Sequence, residues 1–239
     1  MNLFISPRHF DPMFPELMDR EGQDPVLLRD ELHTLEVLNQ RHGIHGLTLY
    51  YLQQMIAYAH TSPLRILDLG TGAADLPRAV AAWAQRRQLR VQITAVDNNP
   101  VVLQYASKWC AGWPEIRVEQ CELPVIQYAS ESFDIVICGL VLHHLSTGDA
   151  VTVLRRIHEV ARVGYIVNDL CRHWLATAVV ELLAALVIHN PMTRYDARAS
   201  SRAAFTRDEL YEMARRAGMA NFEITGLHCG FRMVLVGRR

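Results

Sequence analysis

Two carboxylates and two glycines fall together in Asp68-Leu69-Gly70-Thr71-Gly72-Ala73-Ala74-Asp75. The run ends a short apolar stretch, Arg65-Ile66-Leu67, that reads as a strand. Glycines at such a strand end let backbone amides approach a ligand closely and open a helix N-terminus toward it. A dinucleotide site asks for Gly-x-Gly-x-x-Gly/Ala, but the third position here is Asp75. Carboxylates at Asp68 and Asp75 repel a pyrophosphate. They suit a ligand that carries an ammonium group and a sulfonium cation. A second apolar stretch ends in Asp97, 29 positions after Asp68, where a carboxylate can accept both hydroxyls of a ribose. A third ends in Cys121-Glu122, where an acid can meet an adenine amino group.

The elements that position these groups alternate between strands and helices from Leu64 onward. Strands are expected at 65–68, 91–96, 116–121, 133–138 and 164–167, with helices at 76–88, from 100 to about 109, and from about 149 to 161. A long apolar helix, Trp174 to Ile188, and a polar loop, Asn190 to Phe205, come next. Thr206 and Glu209 stand as a capping box for a helix running to Arg216. Phe222 to Leu227 and Phe231 to Val236 close the chain as two neighbouring strands. Upstream, Asp24-Pro25 reads as N-cap and N1 of a helix with Leu28, Leu32, Leu35 and Leu38 at helical spacing before Gly43. A second helix is expected from Leu47 to Ala59, and the segment up to Gln23 reads as an arm or irregular loop. The expected fold is α/β, a doubly wound and mostly parallel seven-stranded sheet with a reversed C-terminal hairpin. Residues 1–63 form an N-terminal helical cap and 64–239 the ligand-binding domain, with a lid or insert at about 173–205.

In order along the chain, Leu67-Asp68-Leu69-Gly70-Thr71-Gly72, Ala95-Val96-Asp97-Asn98-Asn99-Pro100, an acid at Glu122, and Ser132-Phe133-Asp134-Ile135-Val136 leading to Leu142-His143-His144-Leu145 resemble the class I S-adenosylmethionine-dependent methyltransferases. The resemblance runs from about Leu64 to the C-terminus. It departs at two places: the family's third glycine is Ala74, and the usual Gly-Asp-Ala after the third strand reads Cys121-Glu122-Leu123. It implies S-adenosylmethionine as cofactor and S-adenosylhomocysteine as product. Asp68, Gly70, Thr71, Gly72, Asp75, Asp97, Asn98, Glu122 and Gly139 would hold the donor. A Rossmann dehydrogenase is the distant alternative, weakened by Asp75.

Methyl transfer is an in-line displacement in which alignment supplies much of the acceleration, and a base matters when the acceptor is a hydroxyl. His143, His144 and Asp169 are the catalytic candidates. Either histidine acts as base or caps a strand end, and Asp169 orients an acceptor or holds its loop. Arg172, His173, Arg194 and Tyr195 are candidates for contact with the acceptor. Gly139-Leu140-Val141 stands where metal-dependent catechol-type enzymes place an Asp, so no metal is expected. The chain is similar to bacterial small-molecule methyltransferases of the ubiquinone/menaquinone type, which implies a phenolic, quinone or polyketide-like acceptor methylated on oxygen or carbon. A protein- or RNA-directed methyltransferase and a catalytically silent nucleoside-binding homologue are the alternatives. The apolar helix 174–188 can line the acceptor pocket, pack as simple core, or form a homodimer face.

Composition sets the outer bounds. With 24 Lys+Arg against 25 Asp+Glu, the net charge of −1 argues against an electrostatic grip on nucleic acid. Trp, Tyr and Phe are not interleaved with a basic cluster, so no stacking platform for bases is visible. Cys110, Cys121, Cys138, Cys171 and Cys229 are odd in number and lack a Cys-x-x-Cys, which suits free thiols. Residues 1–8 show no signal peptide, and the 15 residues from Trp174 reach about 22 Å as a helix, short of a bilayer core of roughly 30 Å. A cytoplasmic location and a small-molecule partner are the expectations.

Overall fold

A computed structural model describes residues 7–227 and 231–239, apart from positions 14, 21, 42, 187 and 189. Cys229 and the first six residues, which entered the reading above, lie outside the described residues. Seven strands form one sheet: β1 (Leu64–Leu69), β2 (Val91–Asp97), β3 (Ile116–Gln120), β4 (Phe133–Gly139), β5 (Ala161–Leu170), β6 (Phe222–Leu227) and β7 (Arg232–Arg238). Their order is β3-β2-β1-β4-β5-β7-β6, and only β7 runs against its neighbours. The order reverses between β1 and β4, which opens a crevice beyond the carboxyl ends of those strands.

The central strands read as continuous apolar runs because both faces are covered. Ile66, Ile135, Ile137 and Ile166 point to one side, where α2 (Ile44–Ile56) contributes Leu52 and Met55 and α3 (Asp75–Arg86) contributes Val80 and Trp83. Leu67, Leu69, Val136 and Val167 point to the other, against Leu154 and Ile157 of α5 (Thr147–Val160) and Leu210 and Met213 of α8 (Arg207–Arg216). The remaining sheet helix, α4 (Pro100–Trp109), starts at an Asn99 cap and packs along β2 and β3. α2 shares its core with α3 and the sheet. α1 (Pro25–Arg41) lies over the crevice, together with the irregular stretch before it.

Two expectations need correction. The second helix begins and ends about three residues earlier than its apolar spacing suggested. The stretch read as a polar loop, Asn190 to Phe205, is mostly a helix, α7 (Pro191–Ala203). Its start is conventional, since Asn190 Oδ1 accepts from the Met192 N–H at 2.8 Å and Pro191 occupies the first turn. Its inward stripe, however, is Thr193, Asp196 and Ser200 beside Met192, so the apolar period that signals a buried helix is absent. Removing the cap with Asn190→Ala should cost about 1 kcal/mol. That corresponds to about 2 to 4 °C in melting temperature, measurable by calorimetry or circular dichroism. α6 (Trp174–Leu186) leaves Trp174, Leu175, Leu182 and Leu186 exposed. No helix among the described residues is long and apolar enough to cross a membrane.

Candidate active site

The crevice is a cavity of about 1360 Å³, walled by the turns after β1, β2 and β4 and roofed by α1, α7 and residues 15–19. Its donor-like end is built on the glycine turn. Gly70 and Gly72 both take left-handed backbone angles, φ 68° and 54°. At Gly70 a Cβ would sit 2.1 Å from a Val141 methyl, so this position admits glycine on steric grounds as well. Ala74, in place of a third glycine, also adopts a left-handed angle (φ 56°), immediately before α3.

Around this turn the charges are arranged in layers. The Asp68 side chain is buried and accepts from the Thr71 hydroxyl at 2.7 Å. Burial, reinforced by the neighbouring charges of Asp75 and Asp97, pushes its carboxyl up to about 7. Asp97 accepts the Gly72 N–H at 2.9 Å and the Asn99 N–H at 3.1 Å, and burial raises its pKa as well. Asp75 behaves differently. Burial pushes it up, but His45 at 2.8 Å and Asn39 at 3.2 Å outweigh that and hold it below the usual range. Arg232 reaches the same wall, donating to Asn39 Oδ1 at 3.3 Å, while its buried Nη1 finds no hydrogen-bond acceptor among the described residues. Asn98 and Gly139 complete this end.

At the opposite end His143 is buried, and its Nδ1 lies 2.6 Å from Asp169 Oδ1. Asp169 also accepts the backbone N–H groups of His143 and Leu170, which fixes the ring with Nε2 toward the cavity. Burial alone would lower the His143 pKa, but Asp169 and Glu16 outweigh it and raise it to about 10. His144 stacks on His143 at 4.2 Å between ring centres and pairs through Nδ1 with Asp19 at 2.9 Å. Glu16 receives a hydrogen bond from the Ser200 hydroxyl and faces both rings. The segment carrying Glu16 and Asp19 is held by Asp196, which accepts the Leu17 and Met18 N–H groups at 2.6 and 3.1 Å.

The cavity thus brings together Asp68, Gly70, Thr71, Gly72, Asp75, Asp97, Asn98, Gly139, His143 and His144. Asp169 stands behind His143 as a positioning residue. Five expected contacts fall elsewhere. Glu122 is exposed, and Cys121 and Leu123 line the wall instead. Arg172 is buried in an ion pair with Glu209 at 2.6 Å, tying β5 to the start of α8. His173 accepts the Leu175 N–H at the start of α6. Arg194 donates to the Ile188 carbonyl at 2.8 Å, and the Tyr195 hydroxyl accepts from Arg20 at 2.9 Å. These last four hold chain segments together. Residues that sequence reasoning missed are Glu16, Asp19, Asn39, His45, Ser200 and Arg232. None sits in a motif, and all reach the cavity only through the fold.

Residues 66–164 match the family described as a methyltransferase domain. The uncharacterized methyltransferase YcgJ of Bacillus subtilis (strain 168) is 29% identical over 101 residues, which is 41% of this chain. The match spans only 36% of that relative's length. Among solved structures, the CurJ carbon methyltransferase superposes with a TM-score of 0.66 at 11% identity, over 92% of this chain and 62% of its own. Human N-acetylserotonin methyltransferase, solved in complex with S-adenosylmethionine, gives 0.60 at 16% identity, over 87% and 54%. A methyltransferase from Aquifex aeolicus gives 0.55 at 14%, over 79% and 88%. At these identities the structural likeness speaks for the fold. The matched residues run from β1 and the glycine turn through β4 to the start of β5, and over that part the chain is similar to methyltransferase domains.

Proposed function

We propose that the protein transfers the methyl group of S-adenosylmethionine to a small, largely apolar acceptor that reacts at or beside an oxygen. The carrying observation is the trio of Asp68, Asp75 and Asp97 around the glycine turn, with the first pushed up to about 7 by burial and by its two acidic neighbours. The donor brings an ammonium and a sulfonium to that end, and Arg232, with one nitrogen unpartnered among the described residues, is placed to meet its carboxylate. Asp97 takes the ribose hydroxyls. At about 1360 Å³ the cavity exceeds the usual span of a single-ligand pocket, so an acceptor fits beside the donor. Leu32, Leu35, Val179, Val180 and Phe231 give it apolar walls. Glu16, His143, His144 and Ser200 give it one polar end. At a pKa of about 10, His143 is an imidazolium at neutral pH. It is therefore suited to holding an acceptor oxyanion by donating Nε2–H, and poorly suited to taking a proton. Acceptors of the phenolic, quinone or polyketide class have this shape of an apolar body with one oxygen.

Calorimetric titration with S-adenosylmethionine and S-adenosylhomocysteine at two pH values tests the donor half of this reading. A cation binds the ionised form of Asp68, so affinity must weaken as pH falls through about 7. From pH 8 to pH 6 the loss should be about tenfold, the change in the ionised fraction of a group titrating at 7. Absence of binding by both compounds at both pH values would sink the proposal.

A further inference from the structure

Glu16, His143 and His144 each offer one ligand atom, and the three atoms lie within 4.8 Å of one another. Glu16 Oε1 is 3.6 Å from His143 Nε2 and 3.9 Å from His144 Nε2, too far for hydrogen bonds. An ion with bonds of about 2.0 to 2.2 Å holds its ligand atoms roughly 3.0 to 3.5 Å apart, so both Glu16–histidine distances are within a few tenths of an ångström of that spacing and the two imidazoles, inside the 4.8 Å limit, close on the ion by side-chain rotation. The outer arrangement is the one metal-bound imidazoles require. His143 Nδ1 is backed by Asp169 Oδ1 at 2.6 Å, and His144 Nδ1 by Asp19 Oδ2 at 2.9 Å. When an ion displaces the Nε2 proton, each carboxylate keeps the remaining proton on Nδ1 and holds its ring with Nε2 turned inward. Ser200 orients the Glu16 carboxylate in the same way.

We propose that Glu16, His143 and His144 bind one divalent transition-metal ion of the Zn²⁺ kind, with its open coordination positions facing the cavity. Two imidazole nitrogens with one carboxylate select such an ion over Mg²⁺ or Ca²⁺, which take oxygen ligands. This is not the metal position considered from the sequence, which lay at Gly139-Leu140-Val141. Resting on the methyltransferase reading, the ion's role is to hold the acceptor oxygen. An oxygen–metal bond forms, the O–H bond breaks, and the proton leaves to water. The resulting oxyanion, or the carbon conjugated with it, then takes the methyl group as the S–CH₃ bond breaks. The ion supplies at this point the positive charge that the imidazolium supplies without it.

The test uses the whole protein after chelator treatment, titrated with Zn²⁺ by calorimetry and with Co²⁺ by visible absorption, with S-adenosylhomocysteine titrated in parallel. A single ion per chain is expected, and Co²⁺ should give the intense bands of a four- or five-coordinate site. Glu16→Gln and His144→Asn should each weaken Zn²⁺ binding by more than about a hundredfold. Asp19→Asn, which removes no ligand, should weaken it by about ten- to a hundredfold. S-adenosylhomocysteine binding should survive in Glu16→Gln, showing that the variant is folded. Protein that binds S-adenosylhomocysteine but no Zn²⁺, or whose Zn²⁺ affinity is indifferent to all three substitutions, overturns the metal site and leaves the methyltransferase reading intact. The reverse result, Zn²⁺ bound and lost in the variants without S-adenosylhomocysteine binding, supports the site and overturns that reading. Binding of neither overturns both.

Discussion

Asp97→Ala should lower the affinity for S-adenosylhomocysteine by about a hundredfold, read by calorimetric titration. Asp97 is the last residue of β2, and its two oxygens already accept the Gly72 and Asn99 N–H groups from the protein side. The lone pairs that remain are those available to a ribose. A hydrogen bond to a charged group contributes about 1.5 to 3 kcal/mol, and two that share one carboxylate are not additive. A loss of about 3 kcal/mol corresponds to roughly a hundredfold in the dissociation constant. Asp97→Asn keeps one accepting oxygen and should lose about tenfold. Folding stability should move little, because burial already disfavours the charged carboxylate in the empty site. Wild-type affinity in both variants would remove Asp97 from the donor site.

The second large effect belongs to the other end of the strands. Asp134, near the start of β4, has no exposed surface and gathers the Arg65 N–H at 2.8 Å, the Thr61 hydroxyl at 2.7 Å and Arg162 Nε at 2.8 Å. It thereby ties together the amino ends of β1, β4 and β5, away from the cavity. Asp134→Ala strands these donors. Breaking a buried pair costs about 3 to 5 kcal/mol, and the lower figure applies because Arg162 is a third exposed. The melting temperature should fall by about 6 to 12 °C, while affinity for S-adenosylhomocysteine below the transition stays unchanged. Burial raises the Asp134 pKa, but its hydrogen bonds and Arg162 outweigh that and leave it below the ordinary value. Its contribution is therefore complete above the unfolded carboxylate pKa of about 4 and is lost as pH falls through the lower folded value. The gap between wild type and variant should stay constant from neutral pH down to about 4 and shrink below it. A gap that shrank at neutral pH would contradict the assignment.

Legibility in the sequence followed the locality of the interactions. Donor-end residues are contiguous or fall at strand ends, so Asp68, Gly70, Gly72 and Asp97 could be placed from spacing and chemistry alone. The polar end is assembled from Glu16, His143 and Ser200. Glu16 and Ser200 meet across 184 positions, a pairing that no periodicity announces. α7 was missed because its buried face is polar, toward a cavity and not a core. Arg194 and Tyr195 have the residue types of acceptor contacts, but only the helix decides where they point. In the helix that exists, Arg194 turns back to the Ile188 carbonyl and Tyr195 outward to Arg20. The Gly-Asp-Ala turn that Glu122 would match reads Cys-Glu-Leu here, and Cys121 and Leu123 face inward while Glu122 is exposed.

The strand order also bears on how the protein is made. β5 ends at Leu170, and its partner on the far side is β7, which begins only at Arg232. At synthesis rates of 5 to 20 residues per second, the ribosome needs roughly 3 to 14 seconds to pass from Leu170 to Arg238. During that interval a largely apolar ten-residue strand presents an unpaired edge. The hairpin that completes the sheet is thus also what ends the nascent chain's exposure to edge-to-edge aggregation.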